Sequence, residues 1–302
     1  MVLYGITGLH MESQKRILGH LAALFTVTVW GITFISTKIL LEDFNPVEIM
    51  FYRLCLAAVA LSIVSPPRGV GDLFGGGWKM AAAGLCGVTL FFLFQNLALS
   101  YTLAANVSVL VSAAPLLTAL VSRVVLREKL RAGFYLGFWL AMAGIVLIGY
   151  NGSFVLHLNP LGDLLSLLAA LAWAFYGVLI VQIGAKDGGT LPATRKVITY
   201  GLLFTLPVLP WFDFRAGVER LGASSNLLHL VFLGVIASAV CYVSWNYAVG
   251  RLGAARTSVY IYLVPMAAIV VSALALGERV TLVGMAGMGL ILGGMALSER
   301  AG

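Results

Sequence analysis

Polar and aromatic side chains recur on one face of the first apolar segment of the chain. Thr26, Trp30, Thr33 and Thr37 follow one another at intervals of three or four residues, which places them on one side of a helix. Trp30 stands near the middle of that segment, where a substrate pathway would run. The alternative is a packing face, in which each threonine donates a hydrogen bond to a carbonyl of its own helix.

Two asparagines and several aromatic residues extend this candidate site to other segments. Asn96 and Asn246 both lie within apolar segments, and Tyr242 shares a helical face with Asn246. An amide offers donors and acceptors together, which suits the ammonium and carboxylate groups of an amino acid. Hydrogen bonds between helices are the alternative. We predict a substrate site formed by Trp30, Thr33, Asn96, Ser112, Trp173, Tyr176, Tyr242, Asn246 and Tyr262.

Pro115 and Pro265 also lie in the middle of apolar segments. Each lacks an N–H, so the carbonyls of Val111 and Ile261 lose their usual donor, and each helix should kink there. We expect the two kinks to shape the cavity or to act as hinges. A static kink is the other interpretation.

Ionisable and catalytic groups are missing from the predicted membrane centre. We place Lys38 and Arg53 near the outer ends of their segments, where they extend to the interface or pair with Glu42 or Glu48. The sequence contains no metal-ligand cluster and no recognised catalytic motif in a plausible context. We therefore expect no enzyme activity and no cofactor. Without a titratable group at mid-depth, we expect facilitated diffusion rather than proton antiport.

These residues need membrane helices to position them. Of the 302 residues, 61% are hydrophobic and only 10% are charged, whereas soluble domains carry roughly 25% charged residues. The apolar residues form blocks of roughly 20, the length that crosses a bilayer. Composition and turn residues predict an all-α integral membrane protein with ten transmembrane helices, at 19–41, 46–65, 79–100, 104–126, 133–150, 162–182, 195–211, 227–249, 255–277 and 281–298.

Basic residues indicate how these helices are oriented. If the N-terminus is cytoplasmic, the inner loops and helix ends hold 14 of the 19 Lys and Arg residues and the outer ones hold 5. This is the bias of membrane proteins toward basic cytoplasmic loops. It predicts that both termini are cytoplasmic. The net charge of +7 therefore does not indicate a nucleic-acid partner.

The two halves of the sequence resemble each other. A shift of 150 residues places Asn96 on Asn246 and Pro115 on Pro265, and a shift of 143 places Trp30 on Trp173. Five helices are an odd number, so the second copy enters the membrane in the opposite orientation. We predict a cytoplasmic segment at 1–18 and two inverted five-helix repeats at 19–150 and 162–298.

The proline helices end in a recurring motif. Leu126-Arg127-Glu128-Lys129 follows Pro115, and Leu276-Gly277-Glu278-Arg279 follows Pro265. With the early Trp30-Gly31, these features resemble the EamA-type branch of the drug/metabolite transporter superfamily, and overall the chain is similar to the YddG-type exporters of aromatic and hydrophobic amino acids. The resemblance implies export of amino acids or similar metabolites across a bacterial inner membrane.

Residues and resemblance together predict a transporter of neutral or zwitterionic metabolites, working by alternating access around a central cavity. A multidrug exporter is the nearest alternative, and an intramembrane enzyme or a membrane scaffold is more distant. The expected partners are a small-molecule substrate and membrane lipid. We expect a monomer, because Gly133-x-x-x-Gly137 and Gly289-x-x-x-Gly293 should serve internal packing, although they could also form a dimer interface.

Overall fold

The structure, a computed structural model, is built from helices. It describes residues 2–101, 104–149, 159–184, 189–212, 214–215, 218–221, 224–267, 270 and 282–301, and no strand occurs among them. Six helices in this part of the chain are long and apolar enough to cross a membrane, at Gln14–Thr33, Pro46–Val64, Gly77–Ala98, Pro160–Ile183, Ser225–Leu252 and Leu282–Arg300. The prediction of an all-α membrane protein is confirmed.

The first half of the chain contributes five long helical elements. They are α1 (Val2–Leu40), α2 (Pro46–Val64), α3 (Gly77–Gly84, Leu85–Leu90 and Phe91–Tyr101), α4 (Ala104–Val111 and Ala114–Val125) and α5 (Ala132–Gly149). Residues 2–18, predicted as a separate segment, are helical and continuous with α1. A four-residue helix, Val70–Leu73, lies in the connection between α2 and α3.

The second half follows a similar order. Its elements are α6 (Pro160–Ile183), α7 (Thr190–Thr205, continued by a 3₁₀ segment at Leu206–Phe212), α8 (Ser224–Val231, Phe232–Val240 and Cys241–Leu252), α9 (Ala254–Ser258 and a 3₁₀ segment at Val259–Tyr262) and α10 (Leu282–Ala301). Asn45 and Asn159 cap the N-termini of α2 and α6, and the proline after each cap occupies the first turn, where it loses no helical bond.

The two mid-segment prolines follow interruptions of the α-helix. In α4 the helix stops at Val111 and restarts at Ala114, so Pro115 lies in the first turn of a new helix. In α9 the 3₁₀ segment ends at Tyr262, and Pro265 follows in helical residues 263–267. The sequence predicted a kink in a continuous helix at Pro115. The structure instead has a two-residue turn at 112–113, so Pro115 lies in the first turn of the next helix, where its missing N–H removes no helical hydrogen bond.

Two long helices contain a π-helical segment, in which the backbone hydrogen bonds skip one residue more than in an α-helix. These segments are Leu85–Leu90 in α3 and Phe232–Val240 in α8. A shift of 150 residues places the first within the second and sets Gly87 on Ala237. The two halves therefore share a backbone irregularity as well as sequence.

The helices α5 and α10 pack closely against each other through glycines. A Cβ at Gly137 would meet Ser298 and the backbone of Gly294, and one at Gly144 would meet Ile291 and the backbone of Gly287. Gly289, which we expected at this interface, has open space where its Cβ would lie. Gly137 therefore serves internal packing as predicted, and the rest of this close contact uses Gly144, Gly287 and Gly294.

Ion pairs connect the two halves. Asp72, between α2 and α3, accepts from Arg195 of α7 at 2.9 Å and lies 3.6 Å from the Lys196 ammonium. Glu48, in the first turn of α2, pairs with Arg220 at 3.0 Å. Glu48 is almost fully buried, and it also accepts from the backbone N–H groups of Asn45 and Arg215.

Candidate functional site

A cavity of about 380 Å³ lies between the helices of both halves. Its wall includes residues from α1, α2, α3, α4, α6, α8 and α9. Five predicted site residues lie on that wall, namely Trp30, Thr33, Asn96, Trp173 and Tyr242. Ser112, Tyr176, Asn246 and Tyr262, which were predicted with them, do not line this cavity.

One side of the cavity belongs to an aromatic cluster, consisting of Trp30, Phe91, Trp173, Tyr242 and Trp245. The first four line the cavity, and Trp245 packs against Trp30 away from the wall. Trp30 meets Trp173 edge to face, with ring centroids 5.3 Å apart. Phe91 lies 4.9 Å from Trp173, and Trp245 lies 5.2 Å from Trp30. These separations are typical of favourable aromatic pairs. The cluster gives the cavity a large, rigid apolar surface.

The π-helical segments hold two members of the aromatic cluster in place. The indole Nε1 of Trp30 donates to the carbonyl of Ala237 at 3.1 Å, and the hydroxyl of Tyr242 donates to the carbonyl of Gly87 at 2.9 Å. Gly87 and Ala237 correspond under the 150-residue shift. Each half of the chain thus supplies a π-segment carbonyl that fixes an aromatic side chain of the other half.

The threonines of α1 include both cavity-lining residues and a packing residue, the two roles that were considered for this face of the helix. Thr33 and Thr37 line the cavity, whereas Thr26 is fully buried. Thr26 donates to the carbonyl of Ala22 at 2.9 Å, and Thr33 donates to that of Trp30 at 2.6 Å. Both donors are used within the helix, so Thr33 presents its oxygen to the cavity mainly as an acceptor.

The two asparagines have different surroundings. Asn96 lines the cavity and donates to the carbonyl of Pro46 at 3.1 Å. Asn246 is buried, accepts from the hydroxyl of Tyr176 at 2.6 Å and donates to the hydroxyl of Thr194 at 2.9 Å. The side chains of Tyr176, Thr194 and Asn246 therefore connect α6, α7 and α8, which is the interhelical role considered as the alternative.

The remaining two predicted site residues lie on the broken helices. Ser112 is buried in the interruption of α4, and Tyr262 is buried at the end of the 3₁₀ segment of α9. The Tyr262 hydroxyl has no hydrogen-bond partner within the described part of the chain. Both residues adjoin cavity-lining neighbours, Val111 and Ile261.

Arg53 lines the cavity, although it was not among the predicted site residues. Its Nε donates to the hydroxyl of Ser238 at 2.8 Å, and its guanidinium carbon lies 4.4 Å from the centre of the Phe92 ring. The predicted partner Glu48 instead pairs with Arg220. The depth of Arg53 in the membrane could have identified it. Arg53 is seven residues beyond Pro46, the start of α2, so it lies roughly 10 Å along the helix, which is too deep for an interfacial residue.

Electrostatically, the cavity is apolar with one positive group. Arg53 is the one charged side chain among the described residues of its wall, and its neutral polar neighbours include Gln95 and Asn96. No group of three His, Cys, Asp or Glu side chains in the described ranges could hold a metal ion. The site is therefore suited to holding a small molecule through apolar contacts and a few hydrogen bonds.

Comparison with known proteins identifies the chain. The sequence model of the EamA-like transporter family matches residues 17–150 and again residues 160–299. The chain belongs to the EamA-like transporter family. The two matches show that the chain contains two copies of the EamA unit, and the cavity lies between them.

Several curated relatives of this EamA-like transporter are similar along nearly their whole length. An uncharacterized transporter of Archaeoglobus fulgidus is 31% identical, with 86% of this chain and 90% of that protein covered. A probable terminal-alkyne amino-acid exporter of Streptantibioticus cattleyicolor is 29% identical, with 92% of each chain covered. A probable amino-acid metabolite efflux pump of Escherichia coli is 26% identical, covering 91% of this chain and 93% of that one.

A solved crystal structure has the same fold as this EamA-like transporter. It matches with a TM-score of 0.77 at 19% identity and covers 95% of this chain and 97% of that chain. Family, relatives and apolar helices together identify a multi-pass membrane transporter of small molecules, not an enzyme.

Proposed function

We propose that this EamA-like protein transports amino acids or similar zwitterionic metabolites through the cavity between its two repeats. The observation that carries the proposal is the cavity itself, at about 380 Å³ with a cluster of aromatic rings on one side and Arg53, Gln95 and Asn96 on its wall. Small-molecule pockets are typically about 300–1,000 Å³ and combine apolar walls with few polar groups. The names of the amino-acid exporters among its relatives support the same substrate class.

The aromatic cluster suits the two ends of an apolar amino acid differently. The ring faces provide area for an aliphatic or aromatic side chain, and they also attract an ammonium group through the negative charge of the π-system. The amides of Gln95 and Asn96 provide hydrogen bonds. A lipophilic cation, the typical multidrug substrate, would have to enter beside Arg53 without a carboxylate on the described wall to balance it.

The proposed topology is ten membrane helices as two inverted five-helix repeats in a bacterial inner membrane, with both termini cytoplasmic. The basic residues support this orientation, because Arg195 and Lys196 at the start of α7 fall on the predicted inner side. Glu48 and Arg220, by the same assignment, fall on the outer side. The cavity then begins near the outer end of α1, where Thr37 and Leu41 line it.

The proposed mechanism is alternating access without proton coupling. Ion pairs between the repeats at Asp72–Arg195 and at Glu48–Arg220 provide contacts that one facing state can keep and the other can release. The interruptions before Pro115 and Pro265 provide hinge positions. The described cavity wall contains no Asp, Glu or His that could carry a proton through the membrane.

The proposal is tested by transport into proteoliposomes. The purified protein should equilibrate radiolabelled phenylalanine or leucine across the membrane, and a pH gradient imposed at clamped potential should not drive accumulation. Lack of uptake of any amino acid, with uptake of a lipophilic cation, would favour the multidrug alternative. Accumulation that a protonophore abolishes would contradict the uncoupled mechanism but not the substrate class.

A further inference from the structure

We propose that Arg53 binds the carboxylate of the substrate, so that the protein selects molecules with a single free carboxylate. This inference rests on the proposed function and specifies the substrate class of the same cavity. It assigns a specificity-determining role to a residue that also makes structural contacts with α8 and Phe92.

The geometry leaves the carboxylate-binding side of Arg53 available. The guanidinium has five N–H donors, and the Nε donor is used by Ser238. Within the described residues, its two terminal nitrogens donate to no acceptor and no carboxylate lies within ion-pair distance. The π-face of the guanidinium covers Phe92. Its terminal edge is the part that binds carboxylates through two parallel hydrogen bonds.

Charge makes a bound anion favourable at this position. Arg53 is 92% buried, since only 8% of its surface is exposed. A buried charge costs free energy unless it is paired and hydrogen-bonded. The described wall offers one positive group and no negative one, which matches an anionic group of charge −1 better than a phosphate dianion. The carboxylate of an amino acid would neutralise this charge when it enters.

The opposite charge of a zwitterion also has a place. Gln95 lies one helical turn beyond Phe92 on α3 and lines the same cavity. Its amide oxygen is buried and accepts no hydrogen bond from the described residues. The neighbouring aromatic faces attract an ammonium group, and a rotation of the Gln95 side chain would bring this oxygen to it as an acceptor. The wall therefore offers aromatic faces and an amide for the ammonium group in addition to the guanidinium for the carboxylate.

The test compares two ligands that differ only at the proposed contact. Binding of phenylalanine and of phenylalaninol, in which an alcohol replaces the carboxylate, would be measured by calorimetry on the purified wild-type protein. We expect phenylalanine to bind about tenfold more tightly or better, because a hydrogen-bonded charge is lost with the alcohol. In Arg53→Gln that preference should disappear, with phenylalaninol binding nearly unchanged. Arg53→Lys should keep part of the preference.

A matched control removes an arginine elsewhere. Arg123 is exposed and its guanidinium contacts the Tyr135 hydroxyl at 3.4 Å, away from the cavity. Arg123→Gln should retain the wild-type preference for phenylalanine. If Arg53→Gln fails to fold, the wild-type comparison and Arg53→Lys still decide the question.

Two results would overturn the inference in distinguishable ways. If wild-type protein binds phenylalanine and phenylalaninol equally, or if Arg53→Gln keeps the preference for phenylalanine, then Arg53 does not bind the carboxylate. The transport proposal would still stand. If neither these two ligands nor leucine and leucinol bind, both the inference and the amino-acid substrate class fail. A structural role alone would lower stability without changing the ratio of the two affinities.

Discussion

Trp30 and Trp173 are aromatic residues that connect the two repeats at the cavity. They come from corresponding segments, meet at 5.3 Å and both line the cavity. Removal of either ring takes away apolar contact with the substrate and part of the support of the other ring. Because both side chains lie on the wall, loss of either should reduce transport.

We predict that Trp30→Ala and Trp173→Ala each reduce transport about tenfold, since a lost ring contact removes roughly 1–2 kcal/mol of binding. Initial rates of phenylalanine uptake, normalised to the protein in the membrane, measure this. Trp139→Ala is the matched control, because Trp139 on α5 is 68% exposed and lies away from the cavity. Wild-type rates in both cavity variants would contradict the assignment of the site.

Residue types alone could predict part of this site. Trp30 and Trp173 could be identified because a tryptophan in the middle of a segment in both halves is unusual. Asn96 could be identified because a buried amide needs a hydrogen-bond partner. The same reasoning could not separate Asn96 from Asn246, since the two have equivalent positions in the sequence and differ only in their neighbours. Tyr176 and Thr194 satisfy Asn246 inside the bundle. Arg53 was assigned to an interface from its distance to a predicted boundary.

The positions of the helices could be predicted from composition, but the π-helical segments within them could not. The predicted segments 46–65 and 162–182 begin at, or two residues after, the observed helix starts at Pro46 and Pro160, because the asparagine cap and the fixed proline dihedral act locally. The π-helical segments of α3 and α8 had no such local signal. One carbonyl in each segment accepts a hydrogen bond from Trp30 or Tyr242, which are distant in sequence. Contacts of this kind cannot be predicted from the local sequence.

The π-helical segment of α3 packs so closely on α6 that a single methyl group should disturb it. A Cβ at Gly87 would overlap the ring of Tyr176, whereas one at Gly177 would find its nearest neighbours at 3.6 Å. We predict that Gly87→Ala lowers the free energy of unfolding by about 1–3 kcal/mol through overpacking. Gly177→Ala, the control, should be neutral or slightly stabilising. Thermal unfolding in detergent distinguishes them, and equal stability would argue against this close approach.

For the whole molecule, the orientation of the two repeats is the main prediction. The loop 127–131 should be cytoplasmic, and the corresponding loop 277–279, which lies outside the described residues, should be on the other side. Single cysteines introduced into each loop, with Cys55, Cys86 and Cys241 replaced, can be labelled from either side of the membrane. Labelling of both loops from one side would end the inverted-repeat proposal.

The ion pair between Asp72 and Arg195 should contribute stability independently of pH in the physiological range. Hydrogen bonding from the Arg68 backbone, with the positive Arg195 and Lys196, holds the pKa of Asp72 below its ordinary value of 3.8. A lowered pKa means that the contribution is present above the unfolded pKa and is lost only as the pH falls through the folded pKa, below about 4.

We therefore expect Asp72→Asn to lower the unfolding temperature by the same amount at every pH between about 5 and 8. Arg195, which is 1% exposed, would lose its carboxylate partner in this variant. Unfolding temperatures of wild-type and variant protein at several pH values provide the measurement. A difference that shrinks on going from pH 8 to pH 5 would show that another group, with a higher pKa, controls this contact.

The crossed hydrogen bonds of Trp30 with Ala237 and of Tyr242 with Gly87 imply that neither half of the gene encodes a finished binding surface. Fragments 1–158 and 159–302, produced separately, should each insert into a membrane yet fail to bind substrate. Produced together as two polypeptides, they should complement each other and restore uptake, because each fragment brings the carbonyl that orients the other's aromatic ring. An ancestral single-unit form would, on the same geometry, have been obliged to work as a pair.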